Sequence, residues 1–169
     1  MSSPESLDSR LCFALYAAAR ATQQVYRPLL AALGLTYPQY LVLLALWEDD
    51  GLTVSELGER LYLDSGTLSP LLRRLEARGA VERRRGDADQ RRVTVHVTGV
   101  GDELRGPCRA MQDVLASTDT LSDDDLESLR DLARRLVEEI SMHSSPPPPT
   151  VTTPPTVTTR SSPTTKEHP

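Results

Sequence analysis

The 169-residue chain is poor in what builds a secreted scaffold, a metal centre or an aromatic core. It has two cysteines, one phenylalanine, one tryptophan and a single lysine, Lys166. Cys12 and Cys108 lie ninety-six residues apart, too few and too distant for a disulfide framework or a zinc site. The three histidines (His96, His143 and His168) have no metal-ligand spacing, so no metal and no cofactor is expected. No charged-then-apolar leader opens the residues given, and the longest apolar run, Leu41 to Trp47, is far short of a membrane span. The expectation is a soluble, cytoplasmic protein with no membrane partner. With aromatics at 4%, the core has to come from Leu, Val and Ala, which favours helices.

A net charge of -5 argues at first against nucleic acid, but the charge is uneven. Between Leu71 and Val93 stand eight Arg (73, 74, 78, 83, 84, 85, 91, 92) against four acids (Glu76, Glu82, Asp87, Asp89), a local net of +4. At physiological salt a charge is felt over roughly 8 Å, so the local balance decides phosphate contact.

Apolar residues recur at helical spacing from Asp8 to Leu33, and Gly34 stops that helix. Pro38 opens a short, almost wholly apolar helix through Trp47. Thr53 with Glu56 forms a capping box for a third helix, and Asp64 or Ser65 caps a fourth that runs to Gly79. The fourth helix carries Leu68, Leu71, Leu72 and Leu75 inward and Arg73, Arg74 and Arg78 on its open side. Residues 81–97 switch to period two around the turn Gly86–Gln90, which adds a hairpin directly after a helix-turn-helix. Thr98 caps a further helix, expected to break near Gly106-Pro107. Ser122 with Asp125 caps the last, which runs to about Met142. From His143 on, eight Pro and eight Thr in 27 residues predict disorder.

The expected fold is therefore mainly α: a winged helix-turn-helix over 35–98, flanked by helices in 1–34 and 99–142, with a Pro/Thr-rich tail over 143–169. Ser65, Gly66, Thr67 and Ser69 open the recognition helix, where small side chains and free N–H groups meet phosphates and base edges. Arg73 and Arg74 suit backbone phosphates. Arg91, behind the hairpin turn, suits a minor groove, held by Asp89. The outer helices carry more apolar surface than one small core needs. That predicts a homodimer whose two recognition helices meet half-sites of a pseudo-palindromic double-stranded operator.

A cysteine on an apolar helix stripe is ordinarily a small buried hydrophobe. Cys12 has two features beyond that: it lies about one turn from a helix start, where the dipole favours thiolate, and Tyr16 shares its face at i+4. Tyr26 is fourteen residues further on, about 21 Å along a helix, so its phenol reaches a Cys12 sulfur only from another chain. No general base or resolving motif accompanies Cys12, which argues against a thiol peroxidase and against an enzyme at all.

Leu11-Cys12-Phe13-Ala14-Leu15-Tyr16, Leu35-Thr36-Tyr37-Pro38-Gln39-Tyr40-Leu41 and Leu61-Tyr62-Leu63-Asp64-Ser65-Gly66-Thr67-Leu68 resemble the organic hydroperoxide resistance repressors, a thiol-sensing branch of the MarR superfamily. Asp89-Gln90-Arg91 resembles the superfamily's wing-tip signature, and the likeness covers about residues 7–141. It implies that Cys12 is oxidised by organic hydroperoxides, that Tyr26 and Tyr37 of the partner subunit hydrogen-bond its sulfur, and that oxidation releases the operator. The pattern departs where two-cysteine members carry a resolving cysteine, at about Ala116 here; Cys108 stands two turns earlier. The departure favours capping of oxidised Cys12 by a low-molecular-weight thiol. An intersubunit Cys12–Cys108 bridge, which needs Cα atoms within about 7 Å, is the alternative. The competing function is a MarR-type repressor relieved by a small phenolic ligand, with Cys12 structural.

Overall fold

A computed structural model of the chain describes residues 6–85, 92–116 and 121–143, the side chains of 113–116 and 143 excepted. After a 3-10 turn at Leu7–Ser9 the elements are α1 (Leu11–Ala32), α2 (Tyr37–Glu48), β1 (Leu52–Thr53), α3 (Val54–Leu61), α4 (Ser65–Ala77), β2 (Val81–Arg85), β3 (Val93–Val97), α5 (Gly99–Glu103), α6 (Arg105–Ala116) and α7 (Asp123–His143). The chain divides into two compact units, 1–119 and 120–169, and α7 belongs to the second.

In the first unit, α2 is the centre. Its apolar residues fall on every side, so no face of it can be left to water. Tyr40, Val42, Leu43, Ala45 and Leu46 are buried, and α1, α3, α4 and β3 pack around them. The helix begins one residue before Pro38, at a capping box not foreseen from sequence: the Thr36 N–H donates to Gln39 Oε1 (2.9 Å), which also accepts from the Thr36 hydroxyl (3.0 Å). That pairing lets Gln39 be buried without an orphaned amide oxygen.

Leu57 on α3 and Leu68, Leu72 and Leu75 on α4 are wholly buried. Each contributes roughly 2 kcal/mol by leaving water. The winged sheet is antiparallel in the order β1-β3-β2, with Val81 opposite Val97 and Arg85 opposite Val93. The two-residue strand β1 was not expected; it adds Leu52 and Thr53 opposite Val95 and Thr94. The turn Gly86–Gln90, with Asp89 and Arg91, lies outside the described residues, as does the Pro/Thr tail beyond 143.

Two boundaries differ from expectation. α1 starts at Leu11 rather than near Asp8, because the 3-10 turn takes the first residues, so Cys12 sits within the first turn. The break expected at Gly106-Pro107 falls at Leu104 instead. Gly106 and Pro107 thus occupy the first turn of α6, where a proline sacrifices no intrahelical donor. In the second unit, Ser122 Oγ accepts from the Asp125 N–H (3.2 Å) and donates to its carboxylate (2.6 Å), closing the expected cap. No single helix among the described residues is long and apolar enough to cross a membrane; α1 and α2 qualify only together, across an 80° bend.

The approach of α5 to the sheet root depends on Gly101. A Cβ there would lie 2.1 Å from the Ala80 carbonyl oxygen and 2.9 Å from Val97 Cγ1. The backbone oxygen cannot yield, so Gly101→Ala is expected to lower stability by about 3 kcal/mol, read as a fall in the urea midpoint.

Candidate functional site

The recognition helix is set by its own leucines. With Leu68, Leu72 and Leu75 turned inward, Ser65, Gly66, Thr67, Arg73 and Arg74 are exposed and Ser69 is half-buried. α3 ends on Tyr62 at φ 53, a left-handed turn that costs a non-glycine residue about 1 kcal/mol and folds the chain sharply into α4. Asp64 caps α4: its carboxylate accepts from the Thr67 N–H (2.9 Å) and the Thr67 hydroxyl (2.8 Å). The Thr67 side chain, then its amide, hold the Asp64 carboxyl below the usual range, so it stays ionised. Gly66 is what lets the cap close, since a Cβ there would sit 2.9 Å from Asp64 Oδ1.

The basic cluster sorts into tied and untied guanidinium groups. Arg83 pairs with Glu76 (3.2 Å), Arg84 with Glu82, and Arg92 approaches Glu56 at 4.0 Å. Arg78, placed by its helical position on the open face, instead bonds the backbone of Leu33 and Gly34. Among the described residues no ion pair engages Arg73 or Arg74, which leaves them available to phosphate.

The hairpin is fastened at its root by a cluster that sequence did not indicate. His96 is the neighbour of buried Val95 on β3, and its ring is mostly covered. Its Nδ1 lies 2.9 Å from Asp50 Oδ2 and its Nε2 3.0 Å from Thr94 Oγ1. Asp50 Oδ1 accepts from the Val97 N–H (2.8 Å). Partial burial acts to raise the Asp50 carboxyl, but the Val97 amide and the His96 ring outweigh it and hold the group low. Gly51 at φ +80 makes room, for a Cβ would meet the His96 ring at 2.9 Å. Among the described residues no group of His, Cys, Asp or Glu is placed to hold a metal.

The thiols are unlike. Cys12 is exposed in the first turn of α1, beside exposed Leu11, Leu15 and Tyr16; the Arg20 guanidinium lies 5.9 Å over the Tyr16 ring. Cys108 is buried, and burial pushes its thiol pKa up. Tyr26 on α1 and Tyr37 at the start of α2 meet edge-to-face at 5.3 Å, and Tyr40, not among the residues picked from sequence, completes the group at 5.8 and 6.2 Å. Burial raises the Tyr26 and Tyr37 phenols, and pushes Tyr40, which accepts from Gln112 Nε2 (2.7 Å), up to about 12. All three therefore remain protonated and can donate near neutral pH. An open groove of about 500 Å³ adjoins Tyr37, lined by Arg20, Arg27, Leu30 and Leu35.

A family model described as the MarR family matches residues 35–93. The HTH-type transcriptional regulator TtmR of Methylorubrum extorquens is 49% identical over 137 residues, 81% of this chain and 70% of its own length. The organic hydroperoxide resistance transcriptional regulator of Bacillus subtilis is 42% identical, over 79% of this chain and 91% of its own. Among solved structures, reduced AbfR bound to DNA superposes with a TM-score of 0.65 at 34% identity, covering 79% of this chain and 94% of that one.

Two outcomes follow from this geometry. On a duplex that the protein itself selects from a random-sequence pool, Arg73→Ala is expected to weaken binding and reduce the salt slope, d log K/d log[salt], by about one. For Asp50, a carboxyl that titrates lower folded than unfolded stabilises the fold above the ordinary range and loses that effect as pH falls through it. Asp50→Asn should therefore be less stable than wild type at pH 7, the difference shrinking below about pH 4, as urea unfolding at each pH would reveal.

Proposed function

The chain belongs to the MarR family of transcriptional regulators, and on that premise we propose that it is a redox-sensing repressor whose Cys12 is the switch. It is a DNA-binding regulator of transcription and not an enzyme. In the proposed form it works in the cytoplasm as a homodimer on a pseudo-palindromic operator. Its helices in 1–34 and 99–142 form the dimer and 35–98 the reading head. Ser65, Gly66, Thr67, Ser69, Arg73 and Arg74 contact DNA, with Arg91 and Asp89 at the wing tip.

The observation that carries the sensing role is the placement of Cys12. It is an exposed thiol in the first turn of a helix that also exposes Leu11, Leu15, Tyr16 and Val25, whereas Cys108 is buried. The phenols of Tyr26 and Tyr37 are gathered at the other end of the same helix, beyond reach of their own Cys12. In a dimer they serve the partner's sulfur, with Tyr16 alongside. The likeness to a hydroperoxide resistance regulator points the same way.

The chemistry balances simply. The Cys12 thiolate attacks the terminal oxygen of an organic hydroperoxide. The O–O bond breaks, an S–O bond forms, and the alkoxide leaves and is protonated to the alcohol. A low-molecular-weight thiol then condenses with the sulfenic acid to a mixed disulfide, releasing water. A Cys12–Cys108 bridge would first have to bring the buried sulfur out. To move the operator from 99% bound to 1%, oxidation has to disfavour the bound state by about 5.5 kcal/mol. Lost phenol hydrogen bonds and disturbed interface packing are of that order together.

A second reading, release by a small phenolic ligand with Cys12 structural, draws on the groove beside Tyr37. One titration separates the two. Wild type on its selected duplex is expected to dissociate with cumene hydroperoxide, and Cys12→Ser to stay bound. An unresponsive wild type would defeat the sensor, and release of Cys12→Ser by salicylate would establish the ligand.

A further inference from the structure

Arg78 closes α4, and its guanidinium spans to the far end of α1. Nη2 donates to the Leu33 carbonyl (2.8 Å) and Nη1 to the Gly34 carbonyl. The turn's own N–H groups go to other oxygens. The Leu35 N–H reaches back to Leu30 (2.8 Å) and the Gly34 N–H to Ala31 (2.9 Å), which closes a Schellman motif and satisfies the carbonyls one turn earlier. The cation also meets the negative end of the α1 dipole. Gly34 is adapted to the contact twice over: its φ is +63, and a Cβ on it would stand 3.0 Å from Nη1. Among the described residues these are the hydrogen bonds that join the recognition helix to α1.

Two donors on two successive carbonyls fix an angle as well as a distance, because the guanidinium is a rigid fork. α1 is a continuous 22-residue helix with Cys12 at one end and this clasp at the other. Its C-terminal turns are packed (Leu30 is buried, Leu29 and Leu33 half-buried), whereas its N-terminal turns are exposed. Packing begins at Tyr26, and at Pro28 the ladder lacks a donor.

We propose that Arg78 is the positioning residue that couples the thiol-bearing helix to the recognition helix, so that displacement of α1 by oxidation reaches α4 through this clasp rather than through any contact of Arg78 with DNA. This rests on the redox reading above.

The test titrates full-length wild type, Arg78→Gln and Arg78→Lys onto the selected duplex at several salt concentrations, before and after cumene hydroperoxide. Melting temperature and dimedone labelling of Cys12 are followed in parallel. Arg78→Gln is expected to keep the wild-type salt slope and full labelling, while the Kd ratio of oxidised to reduced protein shrinks at least tenfold. Arg78→Lys, a single point of attachment, should fall between. A salt slope lowered by about one, as for a phosphate contact, overturns the proposal. So does an unchanged Kd ratio with only a lower melting temperature, which would make Arg78 an ordinary cap. A wild type that peroxide does not release defeats the sensing reading and the coupling with it; a responsive wild type beside an equally responsive Arg78→Gln defeats the coupling alone.

Discussion

A helix with no polar side has to be enclosed, and that requirement on α2 organises the first unit. Tyr40, Val42, Leu43, Ala45 and Leu46 leave no direction in which α2 can face water. α1, α3, α4 and β3 are drawn around it, each with leucine or valine at the contact and α1 with Tyr26 as well. The recognition helix is thus placed from behind: its outward residues are presented because its leucines are committed to α2. The tyrosine group has the same origin, since Tyr37 and Tyr40 are the entry turn of that enclosed helix and Tyr26 is on the element laid across it.

Apolar packing is non-directional, and leucines alone would allow these elements to slide. Polar ties remove that freedom where it matters. The Asp50 carboxylate, 46 residues from His96, pins the hairpin root to the end of α2 through the ring and the Val97 amide. Arg78 pins α4 to the end of α1. Both are long in sequence and short in space. Both lie beside a glycine with positive φ, Gly51 and Gly34, whose missing side chain provides the room.

What the sequence made legible is what local chemistry decides. The Thr53–Glu56 and Ser122–Asp125 boxes, the Asp64 cap, the stops at Gly34 and Gly79 and the alternation of β3 all rest on residues within a few positions of one another. What stayed hidden needs the fold. A two-residue strand has no period of its own, so β1 is visible only opposite β3. The tie between His96 and Asp50 spans 46 residues, and Arg78 looked like part of a basic face because the carbonyls it binds are 44 and 45 residues back. The misplaced break in the fifth helical stretch has a different cause. Proline stops a helix interior but suits a first turn, and sequence did not reveal which Pro107 occupies.

The unequal thiols make the protein a counter of its own integrity. In a single folded chain Cys12 lies open to a bulky maleimide, whereas Cys108 is buried next to side chains of α2 and α6. Every molecule that opens its core surrenders a second label. Stoichiometry of modification therefore reads out how often the interior breathes, with no spectroscopic probe, no antibody and no engineered tag.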